Sequence, residues 1–177
     1  MLYTDRLQLR VIKEEDLKKI HELHSIPEVD KYNALGIPTN IQVTEFVVDE
    51  WLESIRLRRE YVYAIEKDSS FIGLIAIRIG NSKYKIATVW YKINPEFWGK
   101  GYATEALMGI LNFGFEELNL HRIEAGCAVN NLGSIRVLEK VGMIREGNKR
   151  KVLPLKSGWS DNYEYAILDE DWYKTKD

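Results

Sequence analysis

The sequence predicts a mixed α/β domain of the α+β kind, a mostly antiparallel sheet with helices on both faces. Three observations lead there. Segments of strand period and helix period follow one another in the order β-α-α-β-β-β-α-β-α-β-β. The three consecutive strands in the middle are joined by turns, which makes an antiparallel meander. Finally, 45% of the 177 residues are hydrophobic, enough to bury a core, and no repeat, low-complexity tract or linker divides them. Residues 1–177 read as a single domain.

Each element has its own signal. Leu7, Leu9 and Val11 alternate with Arg6, Gln8 and Arg10, the period of a half-buried strand. Residues 14–24 place Leu17, Ile20 and Leu23 at helical spacing. Residues 26–40 hold Pro27, Gly36 and Pro38 and read as a loop. Thr39 with Gln42 resembles a capping box, and a helix follows with Val47, Val48, Trp51, Leu52 and Ile55 on one face. Strands are expected at residues 61–66, 71–79 and 84–93, separated by Lys67-Asp68-Ser69-Ser70 and Gly80-Asn81-Ser82. A helix over 102–118, a strand over 122–129 and a helix over 132–141 come next, with Gly142 as the glycine that ends the last helix. Residues 143–153 and 162–168 are strands joined by a loop over 154–159.

Composition narrows the function classes. A formal net charge of −2 leaves no basic face for nucleic acid and no polybasic membrane patch. One cysteine, Cys127, cannot form an internal disulfide, and in mid-strand it reads as a buried small hydrophobe. The opening residues lack a long apolar run, so neither a signal peptide nor a membrane span is expected, and a soluble cytoplasmic protein is. Five Trp and ten Tyr point either to an aromatic-lined cleft or to core packing. His21 and His24 lie one helical turn apart without a third ligand; solvated helix histidines are expected, and no metal site. His121 is expected to make a structural hydrogen bond.

The chemistry concentrates at Trp98-Gly99-Lys100-Gly101-Tyr102-Ala103-Thr104, between a strand and a helix. The start of a helix has N–H groups without partners and a partial positive charge, so it attracts anions. Glycines let the backbone approach phosphate oxygens and adopt unusual dihedrals. Backbone amides from Gly99 to Thr104 would cradle a pyrophosphate, with Lys100 adding charge. No Gly-Lys-Ser/Thr follows at P-loop spacing, and a dinucleotide site would need Gly-x-Gly-x-x-Gly after the first strand of a βαβ unit. Two glycines alone are equally compatible with a plain structural turn.

The wider stretch, residues 90–106, resembles the acetyl-CoA-binding motif of the Gcn5-related N-acetyltransferases, in particular the branch containing the ribosomal-protein N-terminal acetyltransferases. Gly101 and Ala103 fit the last two positions of the pattern Gln/Arg-x-x-Gly-x-Gly/Ala, and Trp98 stands where Gln or Arg is usual. Residues 131–143 resemble the branch's Asn-x-x-Ser-x-x-x-Leu-Glu-Lys-x-Gly-Phe, with Met143 for Phe. Thr4-Asp5-Arg6-Leu7, Leu120-His121-Arg122-Ile123-Glu124-Ala125 and Asp161 through Tyr165-Ala166 are similar too, so the resemblance spans nearly the whole chain in order.

The resemblance implies a sheet splayed between its fourth and fifth strands, with acetyl-CoA in the wedge. The pantetheine would bond to backbone near Tyr91, Lys92 and Ile93, and the pyrophosphate would lie on Trp98 to Thr104. Asn131 and Ser134 would face the pantetheine and thioester, with Ser134 assisting the leaving sulfur; on spacing alone Asn131 is simply a helix cap and Ser134 a packed small residue. Asp30, Tyr32 and Asn33, in the first interhelical loop, are candidate acceptor contacts. Asp161 is expected to be structural. Relatives carry a Glu base at positions that align with Thr88 or Leu153, so no base carries over, and Glu164, a tyrosine or a water chain would have to replace it. An acceptor α-amine, whose pKa is about 7.7–8.0 against about 10.4 for a Lys amine, asks least of such a base. The resemblance thus implies transfer of acetyl from acetyl-CoA to a primary amine, without metal. Polyamine or antibiotic acetylation, a non-catalytic acyl-CoA sensor, and an interaction domain with an empty cleft stay open, as does the oligomeric state, relatives often being dimers.

Overall fold

The structure, a computed structural model, describes residues 1–174. Eight strands form one sheet: β1 (Leu2–Tyr3), β2 (Gln8–Val11), β3 (Glu60–Lys67), β4 (Ser70–Ile79), β5 (Ile86–Ile93), β6 (Arg122–Ala128), β7 (Ile144–Leu155) and β8 (Gly158–Leu168). Their spatial order is β1-β2-β3-β4-β5-β6-β8-β7. Every neighbouring pair is antiparallel except β5 and β6. The short β1 adds one strand to the expected order, so the expected fourth and fifth strands are β5 and β6.

The helices are α1 (Leu17–His24), α2 (Pro27–Asp30), α3 (Ile41–Arg56), α4 (Tyr102–Asn112), α5 (Leu132–Lys140) and α6 (Asp169–Lys174). They cover both faces. Leu107, Ile110 and Leu111 of α4, with Leu138 of α5 and Trp172 of α6, pack on one face over Ile75, Ile77, Val89 and Ile123. Ile20 and Leu23 of α1, with Val48 and Trp51 of α3, pack on the other over Val62, Ala64, Leu74 and Ala76. The alternation of β3 and β4 thus feeds two cores.

Several expected boundaries move for local reasons. Pro27 starts a one-turn helix inside the expected loop, because its fixed φ suits a first helical position. The cap of α3 is Asn40, whose Oδ1 accepts from Val43 N at 3.1 Å; the Thr39–Gln42 capping box does not form. The helix expected to reach 118 is α-helical only to Asn112 and continues as a π turn, Phe113–Glu117. Gly114 lies inside this turn, packed so closely that a Cβ there would meet Ile123 Cδ1 at 2.6 Å. The loop expected over 154–159 shrinks to a tight turn between β7 and β8. Asp161 is structural as expected: its Oδ1 accepts from Lys151 N at 3.0 Å across an irregular stretch of the β7–β8 ladder. Gly142, at φ +88°, closes α5 as expected.

Gly73 on β4 sets how closely β5 can approach. A Cβ at this position would lie 2.3 Å from Lys92 O and 3.0 Å from Ile93 Cα, both backbone atoms that cannot step aside. Gly73→Ala is therefore expected to cost about 1–3 kcal/mol through forced strand separation, read as a lower urea midpoint at unchanged m-value.

Candidate active site

The backbone ladder between β5 and β6 stops early. Ile86, Ala87 and Thr88 pair with Arg122, Ile123 and Glu124, and beyond them the two strands run on to Ile93 and Ala128 without pairing. The gap opens into a cleft of about 1180 Å³ whose walls include residues 89–93 of β5 and 125–128 of β6. Unpaired strand edges carry N–H and C=O groups that need partners, so the wedge is a place for an extended, hydrogen-bonding ligand.

The glycine turn closes one end of the cleft. Gly99 and Gly101 have φ of +72° and +84°, and Gly101 is the N-cap of α4 with no side chain to satisfy the first N–H groups. Trp98, Gly99, Gly101, Tyr102, Ala103 and Thr104 line the cleft, and Lys100 does not. Lys100 turns its Nζ onto Glu96 O at 2.9 Å. The cation against the turn is Arg6, which the sequence did not single out as a ligand group. Its Nη1 donates to Lys100 O at 3.2 Å, its Nε to Glu105 Oε2 at 2.7 Å, and its guanidinium lies over the Tyr102 ring. Thr4 Oγ1 donates to the other Glu105 oxygen at 2.6 Å. The opening block thus braces the turn. Trp98, at the position usually held by Gln or Arg, donates from Nε1 to Ile93 O at 2.7 Å and ties the turn to the end of β5.

Residues on β5 alternate between the two sides of the sheet. Tyr91 faces α5, and its hydroxyl lies 2.8 Å from Ser134 Oγ across the unpaired gap. Burial pushes the Tyr91 hydroxyl well above its usual pKa, so it stays protonated. Asn131 caps α5, its Oδ1 accepting from Ser134 N at 3.2 Å, and both residues line the cleft. Cys127 also lines the cleft, and burial raises its thiol to about 11, so it stays a neutral small side chain.

Trp90 and Lys92 face the other way, toward α1 and α3. Trp90 stacks against Trp51, and its Nε1 donates to Glu60 Oε1 at 2.8 Å while Arg78 holds Glu60 Oε2. Lys92 Nζ lies 3.2 Å from His24 Nε2. His24 is 6% exposed, which corrects the expectation of two solvated histidines; His21 meanwhile bonds Thr44 Oγ1 through Nδ1 at 2.7 Å. The buried stripe of α1 runs through Ile20, Leu23 and His24, so helical spacing from Ile20 was the available signal. Tyr32 and Asn33 line this end of the cleft, whereas Asp30 is buried behind it with Oδ1 lacking a partner. Thr88 is exposed. Glu164 bonds Asn162 and Lys149 and is not among the residues lining the cleft. His121 makes the expected structural bond, to Asp169. Among the described residues no cluster of His, Cys, Asp and Glu could hold a metal, and no helix is long and apolar enough to cross a membrane.

Residues 6–144 match the family model described as an acetyltransferase (GNAT) domain. The chain belongs to the GNAT acetyltransferase family. It is similar to the uncharacterized N-acetyltransferase YnaD of Bacillus subtilis, 36% identical over 171 residues that cover 96% of this chain and 97% of the relative. It is 28% identical to a spermidine N(1)-acetyltransferase of Vibrio cholerae, with 96% of each chain covered. A solved GNAT-family acetyltransferase from Bacillus anthracis superimposes with a TM-score of 0.83 at 32% identity, over 96% of this chain and 98% of that one. The fold is the GNAT fold, and the protein is an N-acetyltransferase that moves acetyl to an amine.

Burial holds His24 down to about 3, so the folded protein keeps it neutral. The unfolded chain protonates it near pH 6.5, so its contribution to stability is present above that pH and is lost as pH falls from 6.5 toward 3. His24→Phe is expected to flatten the fall of the urea midpoint between pH 7 and pH 4.5.

Proposed function

We propose that this acetyltransferase acts on an α-amine, such as a peptide N-terminus, with acetyl-CoA held along the wedge and its pyrophosphate on the glycine turn. The observation that carries the acceptor reading is the charge of the cleft beyond the wedge. Lys31, Arg78 and Lys92 line it, Arg78 being paired with the buried Glu60, and Glu28 is the one acidic residue in that lining. A wall with so few acidic groups gives a polycation little to bind and suits an acceptor with a single amine. A relative named as a putative ribosomal N-acetyltransferase, YdaF of Bacillus subtilis, supports the same reading; it is 31% identical over 72% of this chain and 70% of its own length. The Vibrio relative's name favours a polyamine, and charge is what separates the two.

The residues fit acetyl-CoA. The turn offers open N–H groups where a Cβ at Gly101 would crowd Arg6 Nη2 at 3.3 Å, and the edges of β5 and β6 are unpaired for an amide-bearing arm. Acetyl-CoA supplies the activated acyl group. Tyr91 fixes the Ser134 hydroxyl, which donates a hydrogen bond toward the departing sulfur. A hydroxyl is a weak acid, so its contribution is placement and charge stabilisation. Backbone N–H of β5 polarises the carbonyl oxygen. The parted strands hold the thioester between the donor side and the acceptor side.

Gly101→Glu is expected to weaken acetyl-CoA binding about 100-fold by calorimetry, because it sets a carboxylate against phosphate. Lys100→Ala should leave the affinity within about twofold, since its ammonium is turned onto Glu96 O. Equal binding by Gly101→Glu would refute the phosphate role of the turn. A turnover panel with an alanine-initiated peptide, spermidine and a small primary amine tests the acceptor: preference for spermidine would sink the α-amine reading, and acetyl-CoA binding without turnover on any amine would identify a sensor.

A further inference from the structure

We propose that Lys92 is the proton acceptor for the incoming amine, positioned by His24 and Asp30. This rests on the acetyltransferase reading above and fills the place of the carboxylate missing at Thr88 and Leu153.

Geometry carries the argument. β5 runs beside the gap into which the thioester threads, and its alternation puts consecutive residues on opposite sides. Tyr91 reaches Ser134 on the α5 side. Lys92 turns to the α1 side, lines the cleft and comes within 3.2 Å of His24 Nε2. A group that assists the leaving sulfur and a group that relieves the amine of its proton belong on opposite sides of the thioester. Adjacent residues of a splayed strand provide that placement.

The nearby carboxylates and the guanidinium are less suited. Glu28 is exposed, Glu60 is committed to Trp90 and Arg78, and the guanidinium of Arg78 does not deprotonate. The groups facing Lys92 are His24 from α1 and Asp30 from α2, with Leu74 opposite it on β4 and the Trp90 ring 6.0 Å from its Nζ. His21 acts on His24 from the same helix. His24 is neutral, so it takes a hydrogen bond from the ammonium without adding a charge. Burial lowers Lys92 to about 8, and the Asp30 carboxylate holds it from falling further. A base in that range is partly free at neutral pH, which an ordinary lysine is not.

Protons balance as follows. The acceptor ammonium gives one proton to neutral Lys92. The freed lone pair forms the N–C bond as the S–C bond breaks. The second nitrogen proton passes to the sulfur as the amide forms, and sulfur departs as a thiol. Lys92 returns its proton to solvent through the cleft.

The test uses the full chain, acetyl-CoA and an alanine-initiated peptide at saturation. Wild-type kcat is expected to rise with pH through an apparent pKa near 8. Lys92→Met should lower kcat about 100-fold and abolish that limb while acetyl-CoA affinity by calorimetry stays unchanged. Lys92→Arg, which keeps the charge, should not rescue it. His24→Phe removes the acceptor that stabilises the ammonium, and Asp30→Asn removes the carboxylate; each should move the limb below pH 8, a shift that lost packing would not produce. Lys92→Met with wild-type kcat and pH profile, or limbs unmoved in both other variants, would overturn the proposal while leaving the acetyltransferase reading intact. Failure of the wild type to bind acetyl-CoA would overturn both.

Discussion

β5 and β6 are parallel neighbours that keep company for three residues and then part. A sheet interior does not ordinarily leave backbone groups unpaired, because each buried N–H or C=O without a partner costs about 1–3 kcal/mol. The parting is tolerable because the gap is open to solvent and to a ligand, and because side chains span it. Tyr91 reaches across to Ser134, and Trp98 folds back to occupy the last carbonyl of β5. The rest of the site follows from this. The glycine turn lies at the end of the diverging strand, α5 follows the end of the other, and the cleft runs between them.

The splayed strand also sorts the chemistry. Its two faces meet different cores, one under α4 and α5 and the other under α1 and α3. On the donor side burial keeps the Tyr91 hydroxyl and the Cys127 thiol both protonated. The acceptor side sets Lys92 beside neutral His24, with the buried Asp30 acting on Lys92. Desolvation lowers the pKa values of Lys92 and His24 alike, because each gains a proton to become charged. One cause thus produces a neutral histidine and a lysine that titrates near 8 in the same cluster.

Much of the site was legible because its signals are local. The glycine turn needs positive φ at Gly99 and Gly101, and only glycine adopts it without strain, so the composition of seven residues announces it. The cap at Asn131 and the terminating Gly142 are equally local. A local signal can also mislead by one residue: Thr39 was expected to cap the helix, and Asn40 does, its amide oxygen accepting from Val43 N. The fold class was legible for a similar reason, since period and turn spacing survive in the chain without knowledge of partners.

The sequence by itself therefore determined the alternation of elements, the glycine turn and the family resemblance, all of which depend on neighbours a few residues apart. Tertiary structure decided which residues meet across long separations. Arg6 rather than Lys100 braces the turn, because β2 and α4 pack together and Glu105 bonds Arg6 from 99 residues away. His24 and Lys92, separated by 68 positions, become a pair only when α1 packs against the sheet. The protonation state of each depends on how much water the fold removes, a quantity set by packing and written in no short stretch of the chain.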